Sequence, residues 1–349
     1  MTLPFVAGVL TQEQIARTAE SIAARQLPSG AIPWDEDRHT DPWDHVQAAM
    51  ALTAAGRVTE AERAYAWSAS HQRSDGSWAI RYQDETVEDA NTDSNFCAYL
   101  ATGVWHHWAA TGDRAFLDRL WPVVGRGLDA ALALQRPDGA VAWASARGVP
   151  LPDALVTGNA SIHLSLRCGL ALAEAVGDSR PDWELSAARL RHALDDHPDV
   201  FEAKPTHAMD WYYPVLGGAL PHHLAAARID ERWDDFVVPG LGSRCVSTNP
   251  WVTGAETCEL VLALDVLGRH DDAATQLAAM QHLRDDDGSY WTGLVYDDGV
   301  RWPVERTTWT AATVVLAADA LSRTTPASGL FRGVGLPLCD WKVDDPCPL

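Results

Sequence analysis

The stretch Gln72-Arg-Ser-Asp-Gly-Ser-Trp78 recurs in altered form along the chain and decides the fold. Its Asp-Gly pair predicts a tight turn that needs a positive φ, and its tryptophan can pack over that turn. Related turns share the glutamine and the glycine, and they are Gln26–Gly30, Gln135–Gly139 and Gln281–Gly288. Because each copy ends one helical segment and leads into the next, we interpret the chain as a series of helical hairpins.

Between these turns, apolar residues recur at intervals of three and four, which predicts helices, and alternating β-branched runs are nearly absent. The predicted helices are Gln12–Arg25, Pro42–Ala55, Thr59–His71, Asp93–Thr111, Asp113–Gln135, Thr157–Val176, Pro181–Asp196, Asp210–Ile229, Gly254–Leu267, His270–His282 and Glu305–Leu321. Short connections alternate with long ones that are rich in Trp, Gly, Pro and Asp. This alternation predicts an all-α fold, an (α/α)6 toroid, in which the one helix still missing lies in region 230–249 or at the C-terminus.

The length of 349 residues and the hydrophobic content of 47% allow a large core, and we expect one catalytic domain over 1–349 with 325–349 as a tail packed on it. No run of eighteen apolar residues occurs, which predicts no membrane span. The N-terminus makes a poor signal peptide, and the six cysteines show no CxxC spacing. We therefore expect a reduced, cytoplasmic compartment and neither a metal nor a cofactor.

The formal charge is −21, with 48 acidic and 27 basic residues, and no basic stripe offsets it. This balance argues against nucleic acid or an anionic membrane as a partner. The 16 tryptophans indicate a function for flat aromatic surfaces, which sugar rings and isoprenoid chains both use. The oligomeric state is not predicted by any of these features.

Two enzyme classes use such a toroid, and the terpenoid enzymes are the first. Terpene cyclases and protein prenyltransferases carry turns like the one that ends at Trp78. The Asp-x-Asp-Asp acid of the cyclases is absent, and Asp285-Asp286-Asp287 has the spacing of a solvated turn. The histidine pairs His106-His107 and His222-His223 are adjacent, so their side chains diverge on a helix instead of sharing a zinc ion with a cysteine. A terpenoid enzyme stays open as the alternative.

The second class is the six-hairpin glycosidases, which carry carboxyl groups at the entries of the inner helices. Five long connections here deliver a carboxylate to such an entry, and these residues are Asp44, Asp93, Asp210, Glu256 and Glu305. Their neighbours that can bind a sugar are Trp34, Arg38, Trp43, His45, Asn95, Trp211, Tyr212, Trp251, Trp291 and Trp302. One such acid is ordinarily a helix cap or a first-turn charge. Five together predict sugar subsites, where aromatic rings stack on pyranose faces and carboxylates bind hydroxyls.

A more specific resemblance rests on motifs spread over nearly the whole chain. They are Thr40-Asp-Pro-Trp-Asp-His45, Gly103-Val-Trp-His-His-Trp108, Met209-Asp-Trp-Tyr-Tyr-Pro-Val-Leu-Gly-Gly218, Phe236-Val-Val-Pro-Gly-Leu-Gly242, Pro250-Trp-Val-Thr-Gly-Ala-Glu256 and Tyr290-Trp-Thr-Gly293. The chain resembles an actinobacterial family of intracellular α-endomannosidases, the methylmannose polysaccharide hydrolases, which are often labelled prenyltransferases from their repeats. The resemblance implies hydrolysis of internal α-(1→4)-mannosidic bonds in a cytoplasmic polysaccharide, with the family's paired acids at Asp44 and Glu256.

The residues around this pair are compatible with an inverting reaction, in which one carboxylate activates water and one carboxylic acid protonates the leaving oxygen. Arg38 and His45 are expected to keep Asp44 ionised as the base, while an apolar environment beside Trp251 would raise the pKa of Glu256, the acid. The reverse assignment stays open. A separation of about 6.5–9.5 Å between the carboxyls is expected for inversion, and about 5–5.5 Å for retention. A non-catalytic toroid that only binds a glycan is the rival from another class.

Overall fold

The computed structural model describes residues 2–339, and within them six inner helices form a closed ring. The inner helices are α2 (Pro42–Ala54), α4 (Ser94–Thr111), α6 (Val156–Val176), α8 (Ala208–Leu216), α11 (Gly254–Val266) and α13 (Thr308–Ser322). The outer helices are α1 (Gln12–Arg25), α3 (Val58–His71), α5 (Arg114–Leu132), α7 (Pro181–Asp196), α9 (His222–Glu231) and α12 (His270–Ala279), and α10 (Trp233–Phe236) is one extra turn. Each inner helix contacts the next, and α13 returns to α2. The predicted all-α toroid is confirmed.

Burial separates the two rings of helices. The inner helix α11 is buried on all sides from Gly254 to Asp265, as expected for a helix surrounded by others. The outer helix α5 buries one stripe that contains Phe116, Leu120 and Val124, and its other face meets solvent. The hydrophobic core therefore fills the space between the rings and part of the lumen of the inner ring.

The predicted helix Asp210–Ile229 is wrong, because this region holds two helices, α8 and α9. Helix α8 ends at Gly217-Gly218, where Gly218 has a φ of +63°, and α9 starts after Pro221. A Cβ on Gly217 would lie 2.3 Å from the carbonyl oxygen of Ala160, so this glycine lets α8 approach α6. The break supplies the twelfth helix, which was expected in 230–249 or at the C-terminus.

The repeated turns attach neighbouring hairpins to each other. The Gln72 side-chain amide donates to the carbonyl oxygens of Gly76 (3.0 Å) and of Val123 (2.9 Å) on α5. A Cβ on Gly76 would lie 2.3 Å from the carbonyl oxygen of Arg126, also on α5. The other three turns make similar close contacts with outer helices, where Gly30 lies against the backbone of Arg63, Gly139 against that of Arg189 and Gly288 against that of Arg17. The repeated sequence thus packs each of these turns against the next outer helix.

All strands of the described residues lie in connections that run from an outer to an inner helix. They are β1 (Arg81–Gln83), β2 (Thr86–Asp89), β3 (Thr92–Asp93), β4 (Ala144–Ala146), β5 (Val149–Pro150), β6 (Val237–Val238), β7 (Gly242–Arg244), β8 (Trp251–Thr253), β9 (Gly293–Val295) and β10 (Val300–Arg301). They form the antiparallel hairpin β1-β2 and two antiparallel sheets with the orders β3-β4-β5 and β10-β9-β8-β7-β6.

These connections form a belt around one end of the toroid. Neighbouring connections are hydrogen-bonded at Thr40–Tyr82, Asp93–Ala144, Leu155–Glu202, His207–Val246, Thr253–Gly293 and Trp34–Thr308. The last of these pairs joins the sixth connection to the first, so the belt is closed. All six inner helices therefore begin at the same end, and their positive dipole ends meet there.

The chain beyond α13 continues along the same core. Leu330 and Phe331 are buried in it, and the carbonyl oxygen of Pro337 accepts a hydrogen bond from Arg167 on α6. The expected tail 325–349 is described only as far as residue 339, and 340–349 lie outside the described residues. Within 2–339, no helix combines the length and the apolar character that crossing a membrane requires.

Candidate active site

Carboxyl groups from two inner helices meet at the belt end of the lumen. Asp41 and Asp44 lie at the start of α2, and Glu256 and Glu259 lie in the first two turns of α11. Asp44 interacts electrostatically with the other three. The structure thus brings together the two residues predicted as the catalytic pair, and it adds two acids that the prediction did not include.

The surroundings of Asp44 favour its protonated form. Burial raises the pKa of Asp44 well above its ordinary value, and the carboxylates of Asp41, Glu259 and Glu256 raise it further. Asp41 is the N-cap of α2, and its Oδ1 accepts the backbone N–H groups of Trp43 and Asp44, each at 3.0 Å. The Asp44 carboxyl is also hydrogen-bonded to Asp41. Burial and the nearby acids therefore both favour the protonated form of Asp44.

The two residues expected to keep Asp44 ionised have other partners. Arg38 forms an ion pair with Glu305, with Nη2 and Oε2 3.3 Å apart. His45 is fully buried, its Nδ1 accepts the backbone N–H of Ile32, and its Nε2 donates to the carbonyl oxygen of Ala64. Burial lowers the pKa of His45 to about 4, so the ring is uncharged. The prediction that these residues supply positive charge to Asp44 is wrong.

Glu256 is buried in the first turn of α11, with 6% of its surface exposed. The half-buried thiol of Cys245 forms a hydrogen bond with this carboxyl group, and burial raises the pKa of that thiol. A protonated thiol is a donor, so the carboxyl group of Glu256 accepts this hydrogen bond. The backbone carbonyl oxygen of Cys245 accepts the N–H of Ala208 at 2.9 Å, so Cys245 is held beside the start of α8. Sequence reasoning missed this contact, since Cys245 follows β7 and Glu256 lies eleven residues later, in α11.

Glu259 lies one helical turn below Glu256 and is completely buried. Its Oε2 accepts the hydroxyl of Tyr212 at 2.6 Å, and its Oε1 accepts the amide of Gln47 at 3.3 Å and the hydroxyl of Tyr213 at 3.4 Å. Burial raises the pKa of Glu259 to about 8. An acid three residues after Glu256 in an apolar helix was a visible signal that was not used in the prediction.

Asp93 and Asn95 stand at the start of α4, in the next hairpin. The Oδ1 of Asp93 accepts the backbone N–H of Phe96 at 3.1 Å, so Asp93 is a helix cap, and burial raises its pKa to about 7. Asn95 is 3% exposed, and among the described residues neither polar atom of its side chain has a hydrogen-bond partner. A buried amide without a partner is costly, which makes Asn95 a good candidate to bind a ligand hydroxyl.

Asp210 and Glu305 also lie at entries of the ring, and each has a protein partner. Asp210, in the first turn of α8, accepts the hydroxyl of Thr157 at 2.6 Å. It lines a cavity of 280 Å³ together with Lys204. Glu305 precedes α13, which starts at Thr308, so the predicted helix start at Glu305 is three residues too early.

The aromatic residues are divided between the opening and the core. Trp43 is partly exposed, and its ring centroid lies 6.1 Å from that of Phe96, 5.7 Å from that of Tyr99 and 5.6 Å from that of Tyr213. Trp34 is partly exposed on His39, and Trp291 lies under the guanidinium of Arg306. These tryptophans are available to a ligand at the belt end.

Trp251 and Trp302 form a separate shelf on the five-stranded sheet. Their ring centroids lie 4.8 Å apart, and the indole N–H of Trp251 donates to the Trp302 carbonyl oxygen at 2.7 Å. Trp302 is 52% exposed, and Val304 beside it is 81% exposed. The shelf is therefore an apolar surface held rigid by its own hydrogen bond.

Three residues predicted to bind substrate are instead packed inside the protein. Trp211 is 2% exposed, stacks on Phe236 and donates its indole N–H to the carbonyl oxygen of Arg228. Tyr212 is fully buried against Glu259, and His45 bonds to backbone on both sides. These three side chains are bound to protein groups in this structure, and their roles as sugar ligands stay predictions.

Within residues 2–339, no group of three His, Cys, Asp or Glu side chains is arranged to hold a metal ion. The functional groups described for this site are carboxyl groups, one thiol, tyrosine hydroxyls, amides and tryptophan rings. Such a set can move protons and bind sugar hydroxyls and sugar faces.

One known protein is similar to this chain over nearly its whole length. No protein-family profile matches the chain. A protein of Mycolicibacterium hassiacum, described as MMP endo-(1,4)-3-O-methyl-alpha-D-mannosidase, is 60% identical over 335 residues, which cover 96% of this chain and 93% of the relative.

Solved structures share the architecture at low sequence identity. A glycosidase variant in complex with glucose has a TM-score of 0.72 at 16% identity, over 91% of this chain and 97% of its own. A D-mannose isomerase has a TM-score of 0.65 at 11% identity, over 88% and 96%. A Clostridium perfringens alpha-amylase has a TM-score of 0.66 at 7% identity, over 88% and 97%. These similarities show the fold alone.

Proposed function

This chain belongs to the family of the MMP endo-(1,4)-3-O-methyl-alpha-D-mannosidase and is a glycoside hydrolase, and on that basis we propose that it cleaves internal α-(1→4)-mannosidic bonds of a 3-O-methylated mannose polysaccharide. The observation that carries the proposal is the meeting of Asp44 and Glu256 at the belt end of the toroid, in a chain 60% identical to that enzyme. A reduced, cytoplasmic location is part of the proposal, and the free cysteines among the described residues support it.

In the proposed reaction, Asp44 is the acid and Glu256 is the base. Asp44 donates its proton to the glycosidic oxygen as the bond from that oxygen to the anomeric carbon breaks. Glu256 takes a proton from a water molecule whose oxygen attacks the anomeric carbon from the opposite face, which inverts the configuration. Burial and the neighbouring acids raise the pKa of Asp44, which favours the protonated form that an acid needs, and the Cys245 thiol forms a hydrogen bond with Glu256. These roles are the reverse of those favoured from the sequence.

Substrate binding is assigned to polar and aromatic residues of the belt end. The unpartnered amide of Asn95 and the carboxyls of Asp93, Asp210 and Glu305 are proposed to bind sugar hydroxyls. Stacking on pyranose faces is assigned to the partly exposed tryptophans Trp34, Trp43, Trp251, Trp291 and Trp302. The terpenoid alternative loses its main support, because the turns that suggested it make structural contacts between outer helices.

The test uses Asp44→Asn and Glu256→Gln on a 3-O-methylated α-(1→4)-oligomannoside, with product sizes followed by mass spectrometry. Each variant should fold and lose activity by about 10²–10⁴-fold, the usual contribution of a positioned acid or base. On an α-mannosyl fluoride, whose leaving group needs no proton, Asp44→Asn should recover most of the activity and Glu256→Gln should not. Full activity of either variant on the oligomannoside would refute the pair.

Two further results address the other parts of the proposal. Proton NMR of the first-formed product should show the β-anomer, and an initial α-anomer would overturn inversion. A non-catalytic glycan-binding protein would bind the oligomannoside and release no product, in wild type as in the variants.

A further inference from the structure

A hydrogen bond crosses the lumen directly below the proposed catalytic pair. Gln47 follows Asp44 by three residues on α2, and Glu259 follows Glu256 by three residues on α11, so each lies about 4.5 Å deeper along its helix. The Gln47 amide donates to Oε1 of Glu259 at 3.3 Å. Helices α2 and α11 are not neighbours in the ring, because α13 lies between them.

Neighbouring groups fix the orientation of both partners. The indole N–H of Trp309, on α13, donates to the Gln47 side-chain oxygen at 3.2 Å, which turns the amide nitrogen toward Glu259. On the other side, the hydroxyls of Tyr212 and Tyr213, on α8, donate to Glu259 at 2.6 and 3.4 Å. The network therefore connects α13, α2, α11 and α8 through side chains that are all buried.

We propose that Gln47 and Glu259 are positioning residues, and that their hydrogen bond sets the spacing between the carboxyl groups of Asp44 and Glu256. The proposal rests on the proposed function, because the spacing matters only if those carboxyls act together. Direct attack by water requires room for one water molecule between the base and the sugar. A displacement of about 1 Å can cost about 10²-fold in rate, so a rigid connection one turn below both carboxyls has a direct catalytic effect.

A purely structural role is the competing explanation. Apolar side chains of similar volume generally stabilise a core at least as well as buried ionisable groups do. A carboxyl group that is completely buried, as Glu259 is, also loses the hydration that it has in the unfolded chain. The pair therefore costs stability, which fits a role in catalysis better than one in stability.

The experiment compares Gln47→Met, Glu259→Met and the double variant on the methylated oligomannoside. Each single variant should lower kcat by about 10–100-fold with KM changed less than about 2-fold, because the rate depends on carboxyl geometry and binding does not. The double variant should be no worse than either single one, since both remove the same hydrogen bond. Glu259→Gln keeps an acceptor for Gln47 and should restore most of kcat relative to Glu259→Met.

Thr102→Val is the matched control. It removes another buried hydrogen bond between inner helices, the one between the hydroxyls of Thr102 on α4 and Ser165 on α6 at 3.0 Å. This variant should leave kcat unchanged. If Gln47→Met has the kcat of the control, or if the two single effects multiply, the proposal is overturned. Gln47→Met alone decides the question if the Glu259 variants do not fold. Activity in Asp44→Asn and Glu256→Gln would remove the proposed function itself, whereas an active Gln47→Met with inactive pair variants would remove only the positioning role.

Discussion

Replacing Glu259 by glutamine should make the stability of the protein less dependent on pH. Burial raises the pKa of Glu259 from 4.5 to about 8 in the folded protein, so folding takes up a proton at neutral pH. The stability associated with this protonated carboxyl is fully present below pH 4.5 and is lost as the pH rises through 8. Glutamine has a similar shape and does not titrate, so Glu259→Gln removes this loss.

The size of the effect follows from the two pKa values. Between pH 5 and pH 7 the unfolded chain releases the proton and the folded chain retains it, and integrating this difference gives a loss of about 2–3 kcal/mol in the free energy of unfolding. Wild type should therefore lose about 2–3 kcal/mol more than Glu259→Gln over this interval. Asp93 also has a raised pKa, but its contribution is the same in both proteins and cancels in the comparison. The pKa of Asp44 is raised in part by Glu259, so Glu259→Gln also lessens that shift, which acts in the same direction as the main effect.

Urea unfolding at four pH values between 5 and 8 measures the difference. At pH 7 the midpoint of Glu259→Gln should lie above that of wild type by on the order of 1 M, given usual urea slopes. Gln47→Met is the control, because it removes the hydrogen bond and keeps the titrating carboxyl, so its pH dependence should follow wild type. Parallel curves for wild type and Glu259→Gln would show that Glu259 is ionised in the folded protein, and the reasoning would fail.

Two other predictions concern the turns and the tryptophan shelf. Gly76→Ala should destabilise the protein by about 1–3 kcal/mol more than Gly148→Ala, as measured by thermal unfolding, because both glycines have positive φ but only Gly76 has a carbonyl oxygen, that of Arg126, 2.3 Å from the new Cβ. Equal effects would contradict the docking role of the turns. If the exposed ring of Trp302 contacts a methyl group of the substrate, Trp302→Ala should lower kcat/KM about 4-fold more on a 3-O-methylated oligomannoside than on its unmethylated counterpart. This factor corresponds to about 0.8 kcal/mol for one buried methyl group. Equal losses on the two substrates would show that Trp302 does not recognise the methyl group.

The toroid was predictable because its signals are local. The turn from Gln72 to Trp78 and the alternation of short and long connections depend on residues adjacent in the chain. The error at 210–229 has a local cause too, since Gly217-Gly218 and Pro221 are stop and start signals that were passed over in favour of a continuous apolar pattern.

The protonation of Asp44 was not predictable from its sequence neighbours. Arg38 lies six residues away in the chain, yet it pairs with Glu305, 267 residues away. His45 is adjacent to Asp44, but the helix points it to the opposite side, where backbone groups of Ile32 and Ala64 hold it. Charges that decide a pKa come from whichever elements meet in space, and only the closed ring shows that α11 delivers two carboxyls to α2.

The closed belt also explains how several acids can lie close together around Asp44. Six inner helices begin at this end, and the partial positive charge of each helix start offsets part of the repulsion between carboxyl groups. The helix starts do not stabilise all of these carboxyl groups equally. Asp41 is the N-cap of α2 and accepts two backbone N–H groups. Asp44, three residues later, accepts none of the N–H groups that Asp41 caps. Asp44 therefore receives less of this stabilisation than Asp41 does. The nearby Asp41 carboxyl group also raises the pKa of Asp44, so exchanging Asp41 for asparagine should move the basic limb of the pH–kcat/KM profile to lower pH. An unchanged profile would mean that the proton on Asp44 is held by burial alone.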